Sequence, residues 1–168
     1  IAYDGDGDRI GVVDETGKTV PPDLIGALMV PEILSRYPGA PILYDVRSSW
    51  MIRDEATRLG GVPVMTPVGH GLIKPIMKTK GGAFGIELSG HFYLRDFFGV
   101  DCVDLVALLV MRLVVQTGKR LSELVAPLKR YFHSEEINFE VEDKAGKMNQ
   151  LEAQYGPQGT VIKIDGIR

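Results

Sequence analysis

Ile42-Leu-Tyr-Asp-Val46 is a short, almost continuous apolar run, and Val62-Pro-Val-Met65 is a second one further along the chain. Runs of this length and composition are typical of buried strands. Between them, Ser49 is a residue type that caps helices, and Gly60-Gly61 is a pair that ends them, so a helix is predicted over 50–58. The order strand, helix, strand predicts a βαβ unit.

The same alternation continues on both sides of this unit. Upstream, Asp23 can cap a helix that runs over 24–37. Downstream, the pattern predicts a short helix near 72–80, followed by strands at 83–87 and 91–94 with a tight turn between them.

A long apolar helix is predicted next, because Asp101 can cap it and Gly118 can end it. A further helix is predicted over 122–132. Strands that alternate with helices favour an α/β layered domain, which we expect to cover residues 20–130.

The sequence patterns at the two ends of the chain differ from this alternation of strands and helices. A short β-prone run over 9–14 followed by a turn at 15–18 predicts a hairpin fragment. Apolar and polar residues alternate over 137–141, as in a strand with one buried face, and a helix and a strand at 160–164 follow. These patterns predict the start of a separate α+β domain.

Composition and charge narrow the class of protein. The 168 residues are 45% hydrophobic and 24% charged, which is typical of a globular protein with a packed core. The net charge is −3 and no dense Lys/Arg cluster occurs, so we expect no nucleic-acid partner. The apolar run at 105–115 is too short for a membrane span. Cys102 is the single cysteine, so no disulfide can form within the chain, and this favours a reducing cytoplasmic setting. Because the chain starts at Ile1 without an initiator Met, we expect both ends to be cuts in a longer protein.

The first chemical motif is the acidic loop, Asp4-Gly5-Asp6-Gly7-Asp8-Arg9. Three carboxylates at alternate positions, separated by glycines that let the backbone turn, suit a hard cation such as Mg²⁺ or Ca²⁺. An EF-hand loop is one alternative, but it needs Gly where Arg9 stands and a helix soon after the loop. An acidic surface turn is the other, although three close carboxylates repel one another without a positive partner.

Arg9 makes the acidic loop more specific. A guanidinium beside a divalent cation suits a phosphate whose oxygens both can share, which indicates phosphoryl transfer. The whole motif resembles the metal loop of the alpha-D-phosphohexomutase family. The resemblance implies that Asp4, Asp6 and Asp8 hold Mg²⁺ and that Arg9 is a catalytic residue that stabilises charge on the moving phosphoryl group.

The second motif is the sugar loop, Glu87-Leu88-Ser89-Gly90-His91. A carboxylate, a hydroxyl and an imidazole on one tight turn suit a polyol, because they can accept, donate and exchange protons with its hydroxyls. The loop resembles the family's Gly-Glu-x-Ser-Gly-His, except that Ile86 stands where the family usually has Gly. The resemblance implies that Glu87, Ser89 and His91 bind substrate, and His91 is also the best proton-transfer candidate in the chain.

Two further positions resemble segments of the family's cleft. Gly69-His70 is similar to a family segment near the active site, which makes His70 a substrate-binding candidate beside its alternative as a structural loop histidine. Arg47 follows a predicted strand, where α/β proteins place ligand contacts. The family carries a Lys or Arg there, and a fixed cation favours binding over acid–base work.

The resemblance covers the chain and implies its organisation. Residues 1–19 would be the end of the family's domain 2, residues 20–130 its domain 3, and residues 131–168 part of its α+β domain 4. Domain 3 would be a mixed β-sheet with helices on both faces. The implied partners are a hexose phosphate and the remaining domains, with no membrane.

The implied activity is the reversible interconversion of hexose 1-phosphate and hexose 6-phosphate, with mannose, glucose or both as the sugar. It would use Mg²⁺, a phosphoserine and a hexose 1,6-bisphosphate activator, and the chain alone would be inactive. A non-catalytic sugar-phosphate or divalent-metal binding module remains the main alternative, and a Ca²⁺-stabilised structural domain is another.

Overall fold

The computed structural model describes residues 1–134 and 136–168 of the chain. These residues form two compact units, Ile1–Phe132 and His133–Arg168. None of the described helices is long and apolar enough to span a bilayer.

The first unit begins with a three-stranded antiparallel sheet. Within its middle strand, Ile10 and Val12 are buried whereas Gly11 and Val13 are exposed, so one face of this sheet packs on the core. The Asp14 carboxylate closes the turn that follows by accepting the backbone N–H of Thr16, Oδ1 to N 2.8 Å, and that of Lys18, 3.1 Å. The predicted hairpin is therefore confirmed. The strands are β1 (Ala2–Tyr3), β2 (Ile10–Val13) and β3 (Thr19–Val20), paired in the order β1-β2-β3.

The central sheet has four strands in the order β5-β4-β6-β7. Strand β4, the second in this order, pairs in parallel with both neighbours. Its Tyr44 lies opposite Met65 on one side and Ile86 on the other. The last strand is antiparallel to the one before it, so the sheet is mixed. The strands are β4 (Pro41–Asp45), β5 (Val62–Thr66), β6 (Phe84–Ile86) and β7 (Phe92–Leu94).

Helices cover both faces of this sheet. Alternate residues of β4 point to opposite faces and pack against different helices. Ile42 and Tyr44 belong to the main core, to which four of the helices contribute, whereas Leu43 packs with Ile73 and Met77 on the other face. The fold class predicted from the sequence is confirmed. The helices of the first unit are α1 (Pro22–Arg36), α2 (Met51–Arg58), α3 (His70–Lys80), α4 (Val103–Thr117) and α5 (Leu121–Val125).

Three predicted helix caps are wrong. Trp50 and not Ser49 is the residue that precedes α2. At the other two, tertiary contacts take the side chains. α1 begins after Pro21, and the Asp23 carboxylate inside its first turn accepts the backbone N–H of Ser49, Oδ2 to N 2.9 Å. α4 begins after Cys102, and Asp101 forms an ion pair with Lys74 instead.

The predicted helix ends are confirmed at Gly60 and Gly118, which both adopt positive φ, 77° and 64°.

The predicted helix over 122–132 is also wrong in its length. α5 ends at Val125 and a 3-10 turn over Ala126–Leu128 follows. Pro127 explains the break, since proline has no N–H to donate to the carbonyl of Glu123 one turn earlier.

The second unit is built around one helix, α6 (Lys144–Tyr155), whose Asp143 cap accepts the N–H of Gly146, Oδ1 to N 2.8 Å. The strands predicted at 137–141 and 160–164 do not form in the described part of the chain. A strand needs partners to satisfy its backbone, and the alternating pattern at 137–141 finds none here, so Phe139 is 79% exposed.

Candidate functional site

The acidic loop connects β1 to β2, and the antiparallel pairing of these strands folds it back on itself. One carboxylate oxygen each from Asp4, Asp6 and Asp8 lies within 4.8 Å of the other two. Octahedral Mg²⁺ holds oxygens at about 2.1 Å, so its ligands lie roughly 2.9 to 4.2 Å from one another. A small closure of the loop would thus complete three sites of a magnesium shell, and the all-oxygen donor set fits that cation.

Arg9 balances the charge of the acidic loop. Its Nε lies 2.6 Å from Asp4 Oδ2 and 3.7 Å from Asp8 Oδ1, and its backbone N–H donates to Asp4 Oδ1 at 3.2 Å. Although partial burial raises the pKa of Asp4, the hydrogen bonds and charge of Arg9 outweigh it and hold that pKa below its ordinary value. The guanidinium therefore lies beside the carboxylates where a phosphate bound to the same cation would need it.

The sugar loop is the turn between β6 and β7. The N–H of Gly90 donates to the carbonyl of Glu87 at 3.0 Å, and the N–H of Glu87 donates to the carbonyl of His91 at 3.1 Å. Gly90 has φ +99°, and its carbonyl accepts the N–H of Ile10 at 3.2 Å. The backbone of the sugar loop thus hydrogen-bonds to the strand that leaves the acidic loop.

His91 joins the two loops through its side chain. Its Nε2 lies 3.2 Å from Asp8 Oδ2, and its Nδ1 lies 2.8 Å from Ser89 Oγ. The structure therefore brings together the predicted metal ligands and the predicted substrate-binding residues of the sugar loop.

Glu87 is in the same cluster but is buried, with 1% of its surface exposed. Its Oε1 accepts the backbone N–H of Gly69 at 2.6 Å, and its Oε2 accepts the hydroxyl of Tyr93. The same Oε2 lies 3.5 Å from His91 Nδ1. Both oxygens of the carboxylate that was predicted to bind sugar hydroxyls thus already accept hydrogen bonds from protein groups.

His70 and Arg47 lie at the same edge of the sheet. α3 starts at His70, whose ring centroid is 6.2 Å from that of His91. Arg47 follows β4 and donates to Asp45 Oδ2 from Nε at 3.2 Å and from Nη2 at 3.0 Å. Both residues therefore border the candidate site, with Arg47 held by a buried carboxylate.

Asp45 is a structural centre of the site that the sequence reasoning did not single out. It is fully buried at the carboxyl end of β4, and its Oδ1 accepts both the N–H and the hydroxyl of Ser48 at 2.9 Å. Its Oδ2 accepts the N–H of Leu88, which ties the sugar loop to the loop that carries Arg47. An acidic residue that ends an apolar strand and precedes a serine is the signal that could have indicated this role.

Comparison with protein families decides where this arrangement belongs. The family model described as phosphoglucomutase/phosphomannomutase, alpha/beta/alpha domain III, matches residues 21–131. The chain belongs to the phosphoglucomutase/phosphomannomutase family. The matched range holds the sugar loop, His70 and Arg47.

Individual members of this family match nearly the whole chain. The phosphomannomutase of Escherichia coli (strain K12) is 37% identical over 169 residues, which cover 99% of this chain and 37% of that protein. A crystal structure of a phosphoglucomutase/phosphomannomutase family protein from Burkholderia thailandensis superposes with a TM-score of 0.88 at 32% identity, over 99% of this chain and 36% of that one. The chain thus spans little more than a third of the length of these relatives.

A more distant structure shares the fold alone. The N-acetylphosphoglucosamine mutase of Aspergillus fumigatus, solved in complex with GlcNAc-6P and magnesium, superposes with a TM-score of 0.60 at 16% identity. The alignment covers 90% of this chain and 43% of that one.

Proposed function

We propose that this chain is part of a cytoplasmic phosphohexomutase that interconverts hexose 1-phosphate and hexose 6-phosphate, with mannose, glucose or both as the sugar. The observation that carries the proposal is the contact between His91 Nε2 and Asp8 Oδ2, 3.2 Å, which unites a cation-binding loop with a polyol-binding loop. In this proposal residues 1–19, 20–130 and 131–168 belong to the second, third and fourth domains of the complete protein.

The phosphate side of the site is the acidic loop. Asp4, Asp6 and Asp8 would hold Mg²⁺, the metal named for the Aspergillus structure, and the cation supplies neutralisation of phosphoryl charge when it is bound. Arg9 would bind phosphate oxygens with its guanidinium, which must then exchange its present contact with Asp4 for the ligand.

The sugar side is the loop 87–91 with its neighbours. Ser89 and His91 are only partly buried and would bind sugar hydroxyls, with His91 also moving a proton. Glu87 would accept a sugar hydroxyl in place of the N–H of Gly69, which requires a shift of the loop that leads to His70. Arg47 would add a fixed positive charge for the anionic end of the substrate.

The phosphoryl donor of this reaction would be a phosphoserine outside these 168 residues. Its Oγ–P bond breaks while a bond forms between phosphorus and a sugar hydroxyl oxygen, and the hydroxyl proton passes through a base to the serine oxygen. The product is a hexose 1,6-bisphosphate, which returns its other phosphate to the serine after turning over. A hydroxyl-binding loop that does not discriminate between the two phosphates suits this reversal.

Turnover by the full-length protein tests the proposal. With Mg²⁺ and a hexose 1,6-bisphosphate activator, it should convert mannose 1-phosphate or glucose 1-phosphate to the 6-phosphate. Glu87→Ala and Ser89→Ala should each abolish most of this turnover, whereas Glu140→Ala, at an exposed position in the second unit, should not. A full-length protein that binds the sugar phosphate without converting it would instead support a non-catalytic binding module.

The 168-residue chain supplies a second test. It spans about 37% of the length of the Escherichia coli relative, and the proposed phosphoserine lies elsewhere. We therefore expect the purified chain to convert no mannose 1-phosphate under the same conditions, and measurable conversion would contradict the phosphoserine mechanism.

A further inference from the structure

Tyr93 is a fully buried residue of β7 to which the proposed function assigns no role. It lies opposite Gly85 of β6, where an added Cβ would come within 3.1 Å of the tyrosine ring. Because Gly85 has no side chain, the tyrosine ring can pack against the backbone of β6. From there the hydroxyl reaches the Glu87 carboxylate and donates to Oε2.

Asp101 is a competing acceptor for the same hydroxyl. It forms an antiparallel bridge with Tyr93, which places the two side chains on one face. Lys74 pairs with Asp101 Oδ2, whereas Oδ1 is buried with no hydrogen-bond partner among the described residues. The single proton of the tyrosine thus goes to Glu87 even though a second carboxylate lies beside it.

The charge state of Tyr93 agrees with a donor role. Burial raises the pKa of its hydroxyl, and the hydrogen bond to Glu87 and the charge of Asp101 raise it further. The hydroxyl therefore keeps its proton throughout the ordinary pH range.

The contact matters because Glu87 has another partner within reach. Its Oε2 lies 3.5 Å from His91 Nδ1, while the same nitrogen lies 2.8 Å from Ser89 Oγ. If the Tyr93 hydroxyl were lost, Oε2 would lose its hydrogen bond, and only the N–H of Gly69 on Oε1 would still orient the carboxylate. The carboxylate would then no longer keep a fixed distance from His91.

We propose that Tyr93 is a positioning residue that fixes the Glu87 carboxylate, so that Glu87 keeps the orientation needed for a sugar hydroxyl beside the His91–Ser89 pair. The proposal rests on the proposed function, because it assigns a purpose to the geometry of the sugar loop.

A double-mutant cycle in the full-length protein tests the proposal. The variants are Tyr93→Phe, Glu87→Gln and the two combined, and the probe is glucose 6-phosphate, with Kd measured by calorimetry. Tyr93→Phe should weaken binding about tenfold, the range for a hydrogen bond to a charged group. In the Glu87→Gln background the same change should weaken binding less than twofold, because the charged acceptor that the hydroxyl orients is already absent.

A packing role alone would give the same loss in both backgrounds, and that result would overturn the proposal, as would an unchanged Kd for Tyr93→Phe. Tyr37→Phe is the matched control: it removes a hydroxyl that donates to the exposed Asp96, in the turn that follows β7, and should leave Kd within twofold. Thermal melts confirm that each variant folds.

Turnover of the wild-type protein is measured in parallel and keeps the two questions apart. Binding without turnover would contradict the mutase proposal while the cycle still decides the role of Tyr93. Failure of the wild-type protein to bind either glucose 6-phosphate or mannose 6-phosphate would overturn both.

Discussion

His91 Nε2 lies 3.2 Å from Asp8 Oδ2, although the two residues are 83 positions apart in the sequence. The backbone hydrogen bond from Ile10 to Gly90 sets up this contact by fixing the acidic-loop strand against the sugar-loop turn. The imidazole therefore contacts both the acidic loop and the hydroxyl of Ser89. Binding of a cation and binding of a sugar are expected to be linked through this ring.

Asp8→Asn should lower the affinity of the protein for divalent cations at least tenfold, because it removes one anionic oxygen from the cluster of three. Mn²⁺ titration followed by water-proton relaxation measures the change. Glu140→Gln, which removes an exposed carboxylate elsewhere, is the control and should bind as the wild type does. Equal affinity of Asp8→Asn and wild type would contradict the metal assignment, and a melting temperature raised by Ca²⁺ alone would favour the structural-calcium alternative.

Gly90→Ala should destabilise the protein by about 2–4 kcal/mol. Gly90 has φ +99°, and an added Cβ would lie 2.9 Å from the carbonyl oxygen of Ile10, a backbone atom that cannot yield. Gly39→Ala is the matched control, since Gly39 has φ +76° but open space around it, and should cost only about 1 kcal/mol. Urea unfolding of the three proteins measures the difference, and equal costs would show that the loop contact is not rigid.

Local patterns predicted most of the fold because they depend on neighbouring residues. The run 42–46 and the pair Gly60-Gly61 predicted a strand and a helix end that both formed. Asp23 and Asp101 failed as caps because their carboxylates serve distant partners, which no local pattern reveals. The run 137–141 failed for the opposite reason, since its alternation is suited to a sheet that is not present among the described residues.

The candidate site was predictable in its motifs and not in its connections. The acidic loop and the sugar loop each carry a recognisable set of side chains, and the structure places Asp8 and His91 in contact. The roles of Asp45 and Tyr93 were not predicted from the sequence, because residues within apolar strands have the pattern of ordinary core positions. Their roles depend on which backbone N–H or carboxylate lies across the fold.

Phe98→Asn should stabilise the protein by roughly 0.5–1 kcal/mol. Phe98 is 94% exposed and has φ +58°, a left-handed conformation that costs a non-glycine residue energy and that Asn tolerates better. Phe132→Asn is the control, because Phe132 is equally exposed without a positive φ. Denaturant midpoints compare the variants, and a loss of stability in Phe98→Asn would show that the ring has a contact of its own.

Glu32 should make the stability of the protein depend on pH through its contact with Arg112, Oε1 to Nη2 2.7 Å, which connects α1 to α4. The hydrogen bond from Arg112 and the further bond from Arg36 outweigh partial burial and lower the pKa of Glu32 below its ordinary 4.5. A depressed carboxyl pKa stabilises the fold above the ordinary value, and this contribution is lost as the pH falls through the folded value.

Glu32→Gln should therefore lower the urea midpoint at pH 7, by the equivalent of roughly 0.5 kcal/mol because the pair is more than a third exposed. The gap to wild type should close as the pH is lowered from 6 to about 3, where wild-type Glu32 is protonated as well. Arg112→Met should show a smaller gap that closes in the same way, since it removes one of the two cations that depress the pKa of Glu32. A gap that stays constant over this range would mean that Glu32 stabilises the helix pair by packing and not by its charge.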